Sequence, residues 1–289
     1  MKKVVQFLHP GPEYEGKDWH PADKSHGRRF IFTKGRVKNS RGQWEWLPVT
    51  AWVEWEANAK LYPNRTVGTA MPKNIHLPYL PNKGIPGPKE RHSTDPCVFG
   101  DRFLYTVCRQ INRKGNPTKM QSLEEGSVIL FGSRIKYPDG YHFVLDTLFV
   151  VSEDRVHHSR ESQLKPPEVP DWYFKLTLEQ VYALPHRYTL LKGYTPEEQP
   201  EFFSWIPCKV CNDSAPVPFE RPKIKLRGIR PKMTQGFSLR IAMEPKEAWD
   251  EVVRQVKEQG CELCAGLEVP TNQPNPHFEN LMEKFLSGK

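Results

Sequence analysis

The clearest pattern of apolar and polar residues lies in the middle of the chain, where two short apolar runs occupy residues 126–133 and 143–151. Both runs are rich in β-branched and aromatic residues and are bounded by turn-forming residues, which is typical of buried strands rather than helices. The Tyr-Pro-Asp-Gly sequence at 137–140 predicts a turn between them, because proline presets φ and glycine accepts a positive φ. We therefore expect two paired strands at the centre of a mainly β domain.

Shorter apolar segments predict three earlier strands, at residues 3–8, 28–33 and 43–56. The last of them contains four tryptophans and alternates in character near its end. Alternation in a strand would place two glutamates on the same face as Trp52, as in the wall of a cleft. An extruded base is often gripped between aromatic rings, so this segment is a candidate base pocket. Tryptophans also fill cores, and this alternative stays open.

The pattern of strands ends after Val151, and we expect a domain boundary near residue 155. Before it, the proline-rich residues 62–92 are expected to form a long loop. Residues 156–200 predict a linker with short helices, and residues 201–289 predict a smaller module of two strands and two helices. The expected fold class is therefore α+β, with a mainly β N-terminal domain that forms a barrel or a curved sheet.

One carboxylate stands inside an apolar strand, since Asp146 lies between Leu145 and Leu148 in the second central run. A buried carboxylate must be paired, hydrogen-bonded or neutralised, and carboxylates with perturbed pKa values are concentrated at functional sites. Asp146 could equally end the buried part of its strand or cap a turn. Together with Glu54 and Asp101 it is a candidate catalytic acid.

The order of short motifs along the first half of the chain resembles the nucleotide-modification-associated (Nmad) domains of bacteria and phages. In outline it is also similar to the PUA-like superfamily, whose EVE, ASCH and YTH members hold a modified base in a barrel pocket. The resemblance covers about residues 1–155, and family members often have Asp where this chain has Ser127. The motifs that carry it are Asp95-Pro96, Phe99-Gly100-Asp101, Cys108-Arg109-Gln110 and the glycine-bounded run 126–132. The resemblance implies a PUA-like barrel and contact with modified nucleic acid, and the candidate base pocket then comprises Trp44, Trp46, Trp52, Trp55, Asp95 and Phe99.

Two Cys-x-x-Cys pairs, Cys208/Cys211 and Cys261/Cys264, predict a structural zinc site in the second module. Four thiolates complete a tetrahedral site and leave no position for water. The 49 residues between the pairs exceed the 15–20 or so of compact zinc ribbons, so the insert must carry its own structure. Unligated or redox-active thiols are the alternative. Cys97 and Cys108 have no such spacing partner and are expected to be buried or incidental.

The chain has a formal net charge of +8, which favours a polyanionic partner. Two basic segments are candidates for contact with a DNA backbone, although either could be an ordinary solvated surface. Their candidate residues are Arg109, Arg113 and Lys114 in the first segment and Lys223, Lys225, Arg227 and Arg230 in the second.

These observations leave three classes of function. The first is a DNA glycosylase that extrudes a modified base and cuts its glycosidic bond, and the second is a reader of modified DNA or RNA without catalysis. The third is a zinc-stabilised adaptor protein. We expect recognition of a modified base, plausibly in phage DNA because the resemblance implies that setting. The absence of an apolar run of about 18 residues or of a signal-like start predicts a cytoplasmic protein with no membrane span.

Overall fold

The computed structural model of the protein describes residues 2–9, 13, 28–66, 68, 70–80, 95–159, 169–179, 186–211 and 215–287. The fold is α+β and mainly β, as expected, with two mixed six-stranded sheets. The strands are β1 (Val4–Leu8), β2 (Arg28–Lys38), β3 (Trp44–Glu54), β4 (Ala59–Pro63), β5 (Asn74–Pro78), β6 (Leu104–Tyr105), β7 (Val128–Tyr137), β8 (Gly140–Ser159), β9 (Arg187–Gly193), β10 (Ile206–Val210), β11 (Gly236–Ile241) and β12 (Glu262–Cys264).

The first sheet has the strand order β11-β1-β7-β8-β9-β6 and is built around the predicted central pair. The hairpin β7–β8 closes with Tyr137 paired to Gly140, so the predicted turn is confirmed. Both strands are longer than the apolar runs that predicted them, because their outer ends are polar and exposed. β1 lies parallel to β7 and antiparallel to β11, which joins the start of the chain to its last third.

The second sheet has the order β12-β10-β3-β2-β5-β4, with the long antiparallel pair β2–β3 at its centre. β2 begins at Arg28 and β3 ends opposite it at Glu54. The strand β5 lies within the proline-rich stretch that we expected to be a loop. It pairs with β4 along its whole length, so long-range pairing makes a strand where local periodicity gave no signal.

Helices cover parts of the sheets. A short helix, α1 (Asp171–Tyr173), continues as a π-helical turn over Phe174–Leu178, within the stretch expected to carry short helices. The helices α2 (Pro245–Glu258) and α3 (Pro276–Ser287) confirm the two helices predicted for the last segment. Within the described ranges, none of the helices has the length and apolar content that a membrane span needs.

The expected boundary near residue 155 does not separate the sheets. β8 runs through it to Ser159, and β9 lies in the stretch expected to be a linker. β11 completes the first sheet, and β10 and β12 complete the second. The reason is strand pairing: β10 hydrogen-bonds along β3, and β11 along β1, so residues 201–289 extend the sheets of the first half.

Two hydrophobic clusters bury the faces of these sheets. One cluster contains side chains from both sheets, including Phe7, Val49 and Phe131. The other packs the opposite faces against α2 and α3, through residues such as Trp249 and Phe278. Because both clusters are apolar, the charged residues buried where β1, β2 and β3 begin or end require a separate explanation.

Candidate functional site

A group of buried charged side chains surrounds Arg28, the first residue of β2. Arg28 Nε donates to Asp146 Oδ2 at 2.6 Å, and Arg28 Nη1 donates to Glu54 Oε2 at 2.9 Å. All three side chains are at most 2 % exposed. Removing one partner from such a group would leave the others buried and uncompensated. We call these three residues, with His9 and Arg221, the buried polar centre.

A β-bulge places Asp146 in this centre. Phe131 pairs with Thr147 and Gly132 pairs with Leu145, so Asp146 is the extra residue between the two pairs. A bulge of this kind redirects a side chain and is common beside active sites. Gly132 is required opposite it, since a Cβ there would lie 2.2 Å from the carbonyl oxygen of Val144.

Asp146 is held in its ionised form. Ser133 Oγ donates to Asp146 Oδ2 at 3.1 Å, and Arg221 Nη1 donates to Oδ1 at 3.1 Å. Burial alone would raise the pKa of Asp146, but Arg221 and Arg28 outweigh burial and hold that pKa below its ordinary value. The carboxylate can therefore stabilise positive charge or accept a proton, whereas it is a poor proton donor.

His9 connects the polar centre to a cysteine. His9 Nδ1 lies 2.8 Å from Glu54 Oε2 and 2.8 Å from Arg28 Nη2. A protonated Nδ1 donates to Glu54, and an unprotonated Nδ1 accepts from Arg28. On the other side of the ring, His9 Nε2 lies 2.8 Å from Cys108 Sγ.

Asp95 fixes the backbone that carries Cys108. Its carboxylate accepts the N–H groups of Thr106, Val107 and Cys108 at 2.8, 2.8 and 2.7 Å. Burial raises the pKa of Asp95 to about 7, although these three hydrogen bonds act in the opposite direction. Asp95 is thus a buried structural residue that holds the backbone of residues 106–108, and it does not line an open pocket.

The aromatic residues predicted to form one base pocket are distributed over separate places. Trp55 is completely buried and packs against Phe99, with ring centroids 4.8 Å apart. Trp52 is 3 % exposed, and the guanidinium of Arg221 lies 4.8 Å from its ring centroid. Trp46 is 41 % exposed. Among the described residues, these rings do not surround a common hollow.

Trp44 lines an open groove with a volume of about 450 Å³, to which the other three predicted tryptophans do not contribute. Trp44 is half-buried there and stands edge-on to Phe203, which in turn contacts Trp249. Three lysines and three carboxylates also line the groove, so their formal charges cancel. They are Lys38, Lys246, Lys257, Glu201, Asp250 and Glu262.

A group of exposed and half-buried basic residues lies near the end of the β7–β8 hairpin. The Lys223 ammonium lies 3.5 Å from the ring centroid of Tyr137, Arg134 stacks on Tyr141, and Arg134 Nη1 donates to the carbonyl of Lys232 at 3.4 Å. We define the basic surface by Arg134, Lys136, Lys223, Lys225, Arg227, Arg230 and Lys232. Tyr141 is exposed and gives this surface a ring for stacking as well as charge, whereas Tyr137 is buried beneath Lys223.

In residues 223–227 half-buried or exposed side chains alternate with buried ones, but their backbone is not a regular strand of either sheet. Instead, two glutamines of α2 take the place of a neighbouring strand. The amide of Gln259 bonds to both the N–H and the C=O of Lys223, and the amide of Gln255 does the same for Lys225. The helix thus fixes the direction of these two lysines.

The other predicted basic loop lies apart from this surface. Arg113 and Lys114 are exposed at the tip of a turn held by Asn112, whose side chain accepts the N–H of Lys114. The loop is anchored to β9, where Gln110 bonds to the backbone of Thr189. Asp101 is exposed in a separate turn, and no contact among the described residues joins it to the buried polar centre.

The four candidate zinc ligands divide between the two hydrophobic clusters. Cys208 and Cys264 lie in one cluster, with their thiols within hydrogen-bonding reach, and Cys211 and Cys261 lie in the other. In the described part of the chain, no group of three or more metal-ligating side chains is assembled. Zinc therefore stays a prediction, and elemental analysis of protein purified without chelator tests it.

Sequence reasoning missed four members of the site, namely His9, Arg28, Cys108 and Arg221. One signal was available for Arg28, because two arginines begin an otherwise apolar strand at 28–33 and buried cations need carboxylate partners. No spacing rule could join His9 to Cys108, since 98 residues stand between them. Comparisons with protein-family models, with curated proteins and with solved structures find no match for this chain.

Proposed function

We propose that this protein binds DNA through the basic surface and recognises a modified base in phage DNA. The observation that carries the proposal is that a single segment of the chain joins the basic surface to the buried polar centre. Arg221 belongs to the centre, and Lys223, two residues later, belongs to the surface. Backbone hydrogen bonds tie this segment to β8 on either side of Asp146, from Leu145 N to Pro222 O and from Ile224 N to Phe143 O.

The chemistry of the basic surface fits a nucleic acid. Its seven cations neutralise backbone phosphates, and Tyr141, which is exposed beside Arg134, offers a ring face to a base. The backbone of Lys223 and Lys225 need not be ordered on binding, since Gln255 of α2 and Gln259, which follows α2, already hold it.

The side chains of the buried polar centre have the chemistry that reads a base edge, because guanidinium groups donate and carboxylates accept, but they are covered and paired with one another, so a base must displace part of that cover to reach them. Excision of the base is a second step of the same proposal. Asp146 and Glu54 share Arg28, and an ionised Asp146 suits stabilisation of positive charge on a sugar. Asp101 is exposed elsewhere and is the weakest of the three candidate acids.

The test is binding of the purified full chain to duplexes that carry cytosine, hydroxymethylcytosine or glucosylated hydroxymethylcytosine, measured by fluorescence anisotropy at several salt concentrations. We expect affinity to fall steeply with salt and to be highest for one modified duplex. Lys225→Gln with Arg227→Gln should weaken binding to all duplexes and lower the slope of log K against log salt by about 1–2, since each phosphate contact contributes about 0.9.

Lys284→Gln in α3 is the matched control, because it removes one exposed positive charge outside the basic surface. Equal affinity of wild type and the double variant at low salt would refute binding through this surface. Mass spectrometry of the same mixtures of protein and DNA, after incubation, tests whether a base is released. Release that survives both Asp146→Asn and Glu54→Gln would exclude these acids as the excision residues.

A further inference from the structure

Cys108, His9 and Glu54 form a linear arrangement of thiol, imidazole and carboxylate. The two contacts are 2.8 Å from Cys108 Sγ to His9 Nε2 and 2.8 Å from His9 Nδ1 to Glu54 Oε2. A nucleophile in contact with a base that is itself oriented by an acid is the recurring geometry of covalent hydrolases on unrelated folds.

We propose that Cys108 is the nucleophile of an acyl-hydrolysing centre, with His9 as its base and Glu54 as the residue that positions His9. The substrate class is an ester or an amide. This activity shares His9 and Glu54 with the buried polar centre, but it does not depend on the binding of DNA.

The backbone around the thiol is fixed on both sides. Asp95 accepts the N–H groups of residues 106–108, and the hydroxyl of Tyr105 donates to the carbonyl of Cys108 at 2.5 Å. A reacting side chain held by a rigid backbone keeps the geometry that attack requires. Cys108 is also only half-buried, whereas the other five cysteines are buried.

The residue after the thiol has an unusual backbone. Arg109 has φ of 60°, and it is the only non-glycine residue with a positive φ in the described ranges. Such conformations cluster at active sites. In hydrolases that carry the nucleophile on a sharp turn, the N–H of the following residue stabilises the oxyanion. The N–H of Arg109 donates no hydrogen bond within the described residues and is available for that role.

The charges that face the thiol determine how it is activated. Burial, Glu54 and Asp95 raise the pKa of Cys108 well above its ordinary value, and Arg109 acts against them. The resting group is therefore a thiol that donates its proton to His9 Nε2. This mechanism requires the His9 tautomer whose Nδ1–H donates to Glu54, and the Glu54 carboxylate, which also accepts from Arg28 at 2.9 Å, can then stabilise the imidazolium that forms during attack.

The reaction proceeds in two balanced halves. Cys108 Sγ bonds to the acyl carbon as its proton moves to His9 Nε2, and the carbonyl electrons move to oxygen. The intermediate collapses, the bond to the alcohol or amine breaks, and that leaving group takes the proton from His9. Water then attacks the thioester carbon and gives a proton to His9, which returns it to Sγ as the carboxylic acid leaves.

The test uses the full chain and 4-nitrophenyl acetate as the probe. With the wild-type protein we expect a burst of nitrophenolate followed by steady turnover. Peptide mass spectrometry should then find one acetyl group, on Cys108. His9→Asn should slow acetylation about 100-fold or more, in line with the loss of a positioned base. Cys108→Ala should abolish the burst.

Cys97→Ala is the matched control, because Cys97 is a buried cysteine close in sequence whose thiol bonds to the carbonyl of Phe99 rather than to a histidine. It should keep both the burst and the turnover. Acetylation of another residue, or a burst that persists in Cys108→Ala, would refute the proposal. Acetylation of wild-type Cys108 without any turnover would also refute it, since a hydrolase must release the acyl group. The site of acetylation and the turnover are both measured on the wild-type protein, so these two results do not depend on whether a variant folds.

Discussion

The buried polar centre and the basic surface use the same kinds of side chain, but water reaches only the second. In the centre, Arg28 satisfies two carboxylates at 2.6 and 2.9 Å, with all partners at most 2 % exposed. On the surface, the cations contact tyrosine rings and backbone carbonyls, and their charges face solvent.

This difference determines what each region can do. Charges excluded from water interact strongly and resist salt, so the centre can hold fixed protonation states for chemistry. Exposed charges are screened, so the surface stabilises the fold little and stays available for a polyanion. The segment from Arg221 to Lys223 joins the two regions, which makes each of them testable by changes that leave the other intact.

The largest expected effect comes from removing the cation of the buried polar centre. Arg28→Met leaves Asp146 and Glu54 buried without their common partner, and breaking a buried pair in this way costs about 3–5 kcal/mol. Urea unfolding monitored by tryptophan fluorescence measures the change in the free energy of unfolding. The control is Asp250→Ala, which removes the exposed pair with Lys246 and should cost at most about 1 kcal/mol. Equal losses would show that the centre is not excluded from water.

The next effect is a pair of opposite pH dependences in the buried region beside Cys108. Burial raises the pKa of Asp95 to about 7, so its contribution to stability is complete below its ordinary pKa and is lost as pH rises toward 7. Burial, and then His157, lowers the pKa of His158 to about 4, so its contribution is complete above its ordinary pKa and is lost as pH falls toward 4.

Both Asp95 and His158 contact Thr106. Their contributions to the free energy of unfolding change with pH in opposite directions, so they offset each other between about pH 4 and 7. Asp95→Asn should therefore make the free energy of unfolding rise with pH in this window, and His158→Gln should make it fall. Each unit of pKa shift corresponds to about 1.4 kcal/mol, so the slopes are measurable in urea titrations at stepped pH. Parallel profiles for the two variants would contradict the assignment.

A smaller effect is expected from the glutamines that support the basic surface. Gln255→Ala with Gln259→Ala removes the amide partners of Lys223 and Lys225, and because water replaces them the loss of stability should be about 1 kcal/mol. DNA affinity should fall more than stability does, since the lysines are no longer held in position. Lys257→Ala on the same helix is the control, and it should change neither the backbone of residues 223–225 nor the salt dependence of binding.

The smallest effect on stability is expected on the basic surface itself. Lys225→Gln and Arg227→Gln should each change the free energy of unfolding by less than about 0.5 kcal/mol, because both side chains are exposed. A larger loss in either variant, seen by urea unfolding, would mean that the surface cations are part of the folded core and would weaken their assignment to DNA.

The amino-acid sequence by itself determined the mainly β class, the central hairpin and the last two helices. These follow from local rules: apolar runs bounded by turn residues, the Pro138-Asp139 turn, and apolar positions at helical spacing around Trp249 and Val252. It also indicated Asp146 as a carboxylate in need of partners. Each of these depends on residues that are close together along the chain.

Tertiary structure decided the rest. The strand β5, the completion of both sheets by residues 206–264 and the separate positions of the four tryptophans depend on long-range pairing. The contacts of Arg28 with Asp146 and of His9 with Cys108 join residues about a hundred positions apart, for which no periodicity exists. A charged residue in an apolar stretch indicates that a partner is needed, but it does not identify that partner. The packing of the two sheets decides which opposite charge comes within hydrogen-bonding distance, and the low-dielectric interior then makes that pairing strong.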